Sequence, residues 1–273
     1  MKPIKLAMVM VGLISGVSSL SAQIWKWEQL PDLSTNGIDI LATFNTGSTP
    51  ATAKVLLADQ FVCGLSGPIT GIHFWGSWLD NNFDPNVKFS ISILANNVTG
   101  TGGIGFERPG RVLWTSLLAP TTWGVYNPQI PTAQQQQMFW NPSTPGAIGQ
   151  AAVNLTLQYD FVNPMSSFGQ LFNQASGTTY WLSIQASTSS GQLFGWSTRD
   201  LMEGHTGVAA VYGTNTVLGS TRIGFNDMGY PDGMVPAGQP IDLAFSIETP
   251  EPTATAVIAM GLAALLWRRK TAG

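Results

Sequence analysis

Val87, Phe89, Ile91 and Ile93 alternate with Lys88, Ser90 and Ser92, and this period of two recurs along the chain. Val153, Leu155, Leu157 and Tyr159 alternate with Asn154, Thr156, Gln158 and Asp160; Tyr180, Leu182, Ile184 and Ala186 alternate with Trp181, Ser183 and Gln185. Ile241, Leu243, Phe245 and Ile247 do the same against Asp242, Ser246 and Glu248. Successive side chains of a strand point to opposite faces, so each stretch predicts a strand with one face in a core and the other in water. From Ile69 to Leu79 both faces are partly apolar, with Ile72, Phe74 and Trp78 on one and His73, Trp75 and Leu79 on the other, which predicts a central strand. Shorter candidates lie near 38–44, 54–62, 111–117, 192–198 and 207–213, for eight to eleven strands in all. No window of twelve residues between 23 and 249 carries a helical stripe. Short strands divided by Gly, Pro, Asn and Ser, with no helices between, point to an all-β chain: an antiparallel, jelly-roll-like β-sandwich. Residues 119–149, with five prolines and the run Gln134 to Gln137, are expected as a long surface loop.

The two ends follow a different logic. Lys2 and Lys5 precede an apolar stretch from Leu6 to Val17 and small residues ending near Ala22, the order of a cleavable secretory signal peptide over 1–22. At the other end, Pro250, Glu251 and Pro252 precede an apolar segment from Ala254 to Trp267, closed by Arg268, Arg269 and Lys270. The prolines keep the motif extended, and a single transmembrane helix is expected after them. The fifteen residues from Thr253 to Trp267 reach roughly 22 Å at about 1.5 Å each, short of the roughly 30 Å hydrocarbon core. So short a helix suits a transient inner-membrane anchor, its basic end cytoplasmic and the body on the far side.

Motif, apolar helix and basic stop together resemble the PEP-CTERM sorting signal of Gram-negative bacteria that make extracellular polysaccharide. The matching residues are Pro250, Glu251, Pro252, Arg268 and Arg269 in segment 250–273. The resemblance implies Sec-type export with signal peptidase, then recognition and removal of the tag by exosortase, a membrane-embedded cysteine protease. The body, 23–249, resembles an uncharacterised secreted module of such proteins through Lys26 to Ile40, Leu57 to Leu79, Phe194 to Arg199 and Ile241 to Glu248. That likeness implies a single β-sandwich and carries no activity.

Charge narrows the partners. The body holds seven basic residues against fourteen acidic ones, a net charge of about −7, which argues against nucleic acid. Cys63 is the only cysteine, so an internal disulfide and a cysteine-rich metal site are both excluded, and its apolar neighbours predict a buried, inert thiol. Asn97 and Asn154 fit the glycosylation acceptor pattern, which has meaning only where a host pathway exists.

The motifs that carry chemistry elsewhere are weak here. Gly100, Gly102 and Gly105 fit G-x-G-x-x-G, but Pro109 and Gly110 prevent the helix that would hold a pyrophosphate, so a hairpin loop is expected. His73 and His205, the only histidines, sit in no metal or nucleophile motif, and His73 is expected in a strand with a satisfied ring nitrogen. Asp80, Asn82 and Asp84 begin like a calcium loop, yet Pro85 stands where the turn glycine belongs; an Asx-rich turn is the first reading and calcium the second. Asp80, Asp84, Glu107 and Glu203 are candidate carboxylates for a glycosidase, which needs a pair about 5 to 10 Å apart. Nine tryptophans precede the anchor, and an exposed pair such as Trp75 and Trp181 on one sheet face would stack on sugar rings; the alternative is core packing.

The expectation is thus a non-enzymatic structural or adhesive protein of the cell surface or exopolysaccharide matrix, with no cofactor and no metal. Its rivals are a carbohydrate-binding module for exopolysaccharide and, behind it, a hydrolase acting on that polymer.

Overall fold

The computed structural model describes residues 24–44, 56–99, 106–119, 124–126, 137–142, 151–153, 155–163, 169–189, 191–200, 209–213, 224–231 and 239–249. One compact unit spans Trp25–Thr249; the other comprises Met1–Ile24 and Pro250–Gly273, of which only Ile24 is described. The signal peptide, Pro250, Glu251, Pro252, Arg268, Arg269 and the expected transmembrane helix therefore lie outside the described residues. No helix among those described is long and apolar enough to cross a membrane.

The described chain is all-β. Its strands are β1 (Ile24–Gln29), β2 (Ile38–Leu41), β3 (Leu56–Val62), β4 (Gly67–Pro68), β5 (Gly71–Trp78), β6 (Lys88–Thr99), β7 (Phe106–Leu118), β8 (Gly124–Tyr126) and β9 (Gln137–Trp140). They continue with β10 (Ala151–Val153), β11 (Leu157–Val162), β12 (Asn173–Gln174), β13 (Thr179–Ser187), β14 (Phe194–Ser197), β15 (Ala210–Gly213), β16 (Gly224–Asp227) and β17 (Phe245–Thr249). The only helical turn among them is the 3-10 turn Leu79–Asn81. The predicted central strand is β5, which carries β11 on one edge and β14 and β17 end to end on the other. Around it forms a nine-stranded sheet ordered β1-β17-β5-β14-β2-β9-β10, with β11 and β8 branching from β5. The second sheet has six strands, β16-β15-β3-β13-β6-β7, and β4 with β12 makes a small third.

Two expectations need correcting. Residues 119–149 are not one loop: β8 and β9 lie within them, and Gln137, expected in the polar run, is buried, its Nε2 donating to the Asp32 carbonyl. The pairing is not wholly antiparallel either, because β9 runs parallel to β2. A long connection, unlike a tight hairpin, leaves strand direction free, and more than ninety residues separate the two.

The two large sheets bury one common core. Ile72, Phe74, Tyr159, Phe161, Phe194 and Ile247 project from the nine-stranded sheet, and Phe61, Phe89, Ile91, Leu182 and Ile184 from the six-stranded one. Aromatic rings bridge them: Phe89 lies 5.1 Å from Phe74, 4.9 Å from Tyr159 and 5.1 Å from Phe194, mostly edge to face, the geometry ring quadrupoles favour. Trp78 donates to the Tyr159 hydroxyl at 2.8 Å and Trp196 to the Ala244 carbonyl at 2.8 Å, so the indoles enter the core without stranding a donor.

The six-stranded sheet also curls. The β6–β7 ladder shifts register between Ile93 and Leu94 and again before Asn96, and such bulges bend a strand and tighten its twist. The far end of the hairpin thereby reaches β16 at the opposite side of the sheet, where Arg108 grips the Asp227 carboxylate at 2.7 and 3.1 Å. Beneath this clasp a small second core forms from Ala58, Leu94, Trp181 and Ala210.

Candidate functional site

The alternation in β5 sends Ile72, Phe74, Gly76 and Trp78 into the common core and His73, Trp75 and Ser77 to the opposite face. The polar sides of the neighbouring strands β11 and β17 were expected to meet water. Instead His73, Ser77, Ser246, Asp39, Ser197 and Glu248 are all buried on this face.

At its centre is His73. Nδ1 lies 2.5 Å from Asp160 Oδ1 on β11, and Nε2 lies 2.5 Å from Glu248 Oε1 on β17, so one imidazole ties three adjacent strands. The Asp160 contact is a hydrogen bond; the Glu248 contact is close but off the N–H direction, which makes it an ion pair rather than a second hydrogen bond. Trp25 closes over the ring edge-on at 5.2 Å. Burial alone pushes His73 toward its neutral form, but the hydrogen bond to Asp160 and the charges of Glu248 and Asp160 outweigh it and hold the pKa above the ordinary value. Asp160 moves the other way: burial raises it, and hydrogen bonds from His73 and Gln158 more than offset that, leaving it below the usual range.

A second buried carboxylate, Asp39 on β2, accepts from the Ser197 hydroxyl at 2.5 Å. Ser77 is near enough to favour its charge, although the hydroxyl makes no hydrogen bond of ordinary geometry. Burial dominates, and the Asp39 pKa is pushed up to about 6. A third polar knot pairs Asp59, which accepts from the backbone N–H groups of Leu243 (2.6 Å) and Gln60 (2.7 Å), with Asp242 and Arg199. Burial and then the neighbouring Asp242 charge drive Asp59 well above the carboxylate range.

His73 is engaged by Asp160 and Glu248, and Asp39 by Ser197. Ser246 is the cross-strand partner of His73, but it makes no hydrogen bond to the ring, and the nitrogen that would take its proton faces Glu248. The geometry of a Ser-His-Asp relay is thus not assembled around His73. Asp84 is likewise engaged: its carboxylate accepts from the Ser189 backbone (2.7 Å) and hydroxyl and from the Asn86 backbone (2.8 Å), the geometry of an Asx turn. Asp80 is exposed on the 3-10 turn, and no group of three or more metal-capable side chains occurs among the described residues. Glu107 accepts from Asn96 near the hairpin clasp, and His205 and Glu203 lie outside the described residues, as do Gly100, Gly102 and Gly105. Phe106 to Gly110 is strand and not helix, as the reading against a pyrophosphate site requires. Cys63 is buried, donates to the Leu65 carbonyl, and has its pKa raised by burial, in line with an inert thiol.

The expected sugar-stacking pair is corrected. Trp75 is 6% exposed on the nine-stranded sheet and Trp181 is 1% exposed on the six-stranded one, so no sugar ring can lie across them. Trp181 is covered because the sheet curls over it, its indole held by Asn96 at 2.9 Å. Asp39, Asp160 and Glu248 were not singled out by sequence, where Asp160 and Glu248 read as the water-facing half of alternating strands and Asp39 falls in a short candidate strand near 38–44.

The buried face gives stability a pH dependence with two windows. The unfolded chain releases the Asp39 proton near pH 3.8 and the folded one near 6, so stability falls as pH rises between them, by about 3 kcal/mol in total. His73, raised when folded, contributes fully below pH 6.5 and loses that contribution as pH climbs through its folded pKa. Urea melts from pH 4 to 9 should show both declines, with Asp39→Asn reducing the lower, to which the raised Asp59 also contributes, and His73→Gln reducing the upper; coincident profiles for all three proteins would contradict the assignment.

A family model described as a domain of unknown function (DUF7901) matches residues 25–248. No curated protein and no solved structure matches the chain.

Proposed function

We propose, for a chain that belongs to the DUF7901 family of domains of unknown function, that it is a non-enzymatic structural or adhesive protein, exported and sorted by exosortase to the bacterial surface or matrix. The observation that carries this reading is how the reactive side chains are used. His73 holds a carboxylate against each ring nitrogen, Asp84 is saturated by Ser189 and Asn86, and Asp59 is spent on backbone N–H groups. Groups that other proteins leave open for chemistry serve here to tie strands, turns and backbone together. The body is read as a jelly-roll-like β-sandwich, a reading supported by the core that the two large sheets share. The route is supported by the ends: a basic-apolar-small leader, and Pro250, Glu251 and Pro252 ahead of an apolar stretch and Arg268 with Arg269. Sec-type machinery, signal peptidase, exosortase and, transiently, the inner membrane are the partners this route requires.

Intact-mass measurement on protein recovered from the producing cells tests the route. The expected species starts near Gln23 and lacks the segment beyond the Pro250 to Pro252 motif, with any added mass marking an attached group. A full-length chain recovered from the cytosol would end the proposal.

A further inference from the structure

The β6–β7 hairpin changes character at its bulges. Up to Ile93 it is anchored in the common core, with Phe89, Ile91 and Ile93 of β6 and Trp114 and Leu118 of β7 buried there, and β13 ladders to β6 from Lys88 to Ala95. Beyond Ala95 that ladder ends. Asn96, Asn97 and Val98 then pair, among the described residues, with Pro109, Arg108 and Glu107 alone, a ribbon of two strands. Of these six residues Pro109 is the one buried, while Asn97, Val98 and Glu107 are exposed. A two-stranded ribbon without an apolar face of its own is marginal in water. It is tied down by the Arg108–Asp227 ion pair to β16 and by the Trp181 indole, which donates to the Asn96 side-chain oxygen at 2.9 Å. The ion pair is 25% and 41% exposed, so it contributes little and is open to screening by salt. The small core beneath holds two alanines, Ala58 and Ala210, beside Leu94 and Trp181, and so offers the ribbon little apolar area.

We propose that Asn96–Val98 and Glu107–Pro109 form a strap that opens and closes over Trp181 as a unit, with the Arg108–Asp227 pair as its latch. The bulges confine the movement to the ribbon, since Leu94 and Ala95 stay laddered to β13. Opening takes Asn96 from the Trp181 indole and uncovers Trp181 beside Phe225, whose ring meets that of the exposed Tyr212 at 5.3 Å. The outer face of the six-stranded sheet thereby gains an aromatic surface that the closed strap hides. Ionic strength sets the balance, because screening weakens the latch and leaves the apolar contacts in place. Such a unit opens at a lower free energy than the body unfolds. The strap does not depend on the export route, and a failed prediction about the chain ends would leave it standing.

The test is hydrogen exchange at the indole nitrogens of the full chain, labelled at tryptophan nitrogen. Trp196, fully buried and bonded to the Ala244 carbonyl, is the control in the common core. The Trp181 indole hydrogen should exchange about tenfold faster than that of Trp196 or more, with a weaker dependence on urea, the mark of partial opening. Asp227→Asn, Arg108→Gln and sodium chloride at about 0.5 M should each speed Trp181 a further threefold or so and leave Trp196 within about twofold. The proposal is overturned if the two indoles exchange together with the same urea dependence, if neither variant nor salt changes exchange at Trp181, or if they speed both indoles equally.

Discussion

Gly76→Ala is expected to cost about 3 kcal/mol or more, at the upper end of what overpacking does to a core. A Cβ at this position in β5 would land inside contact distance of the Phe194 ring and of the Gly195 carbonyl oxygen. Neither can retreat. Phe194 is fully buried and held among Phe74, Trp78, Phe89 and Tyr159 at 5.1 to 6.1 Å, and the carbonyl belongs to β14, laddered to β5 and to β2. In a chain this size the loss corresponds to a melting temperature lower by roughly 10 °C. Gly64→Ala is the internal control, since nothing lies within 4 Å of a Cβ there and its backbone is not left-handed; it should melt with the parent. Equal melts for the two alanine variants would mean that the contact between β5 and β14 is looser than the structure describes.

Phe74→Ala should cost about 3 to 5 kcal/mol, because it deletes the ring on which the two sheets converge. Phe74 is fully buried, stacks on Tyr159 at 5.1 Å and Phe161 at 5.5 Å, and meets Phe89 edge-on at 5.1 Å across the core. No neighbour is free to fill the space, since each ring is already engaged with at least one other. Combining it with Phe89→Ala should cost less than the sum of the two, as the rings share contacts. Urea unfolding of the single and double variants gives both numbers, and strict additivity would refute a shared aromatic nucleus.

Much of this core was legible in the alternation. Phe89, Ile91 and Ile93, or Tyr180, Leu182 and Ile184, mark one face of a strand because a period of two is enforced by backbone geometry. The mixed faces of β5 also announced its central place. Sequence failed where burial depends on partners far along the chain. Asp160 and Glu248 occupy positions that alternation assigns to solvent, and only the lateral order β11-β5-β17 brings them to His73. Trp181 failed for a related reason: local pattern assigns it to an outer face, and the bulged β6–β7 hairpin then curls over that face. Short strands such as β9 were invisible because four residues among prolines and glutamines carry too little periodicity to register.

The place of β17 between β1 and β5 has a mechanical consequence. Tension applied at Thr249 along the strand axis loads ladders on both flanks together, in shear, whereas a strand on the rim could be peeled one bond at a time. Whatever pulls on the chain beyond that residue draws against the interior of the sheet.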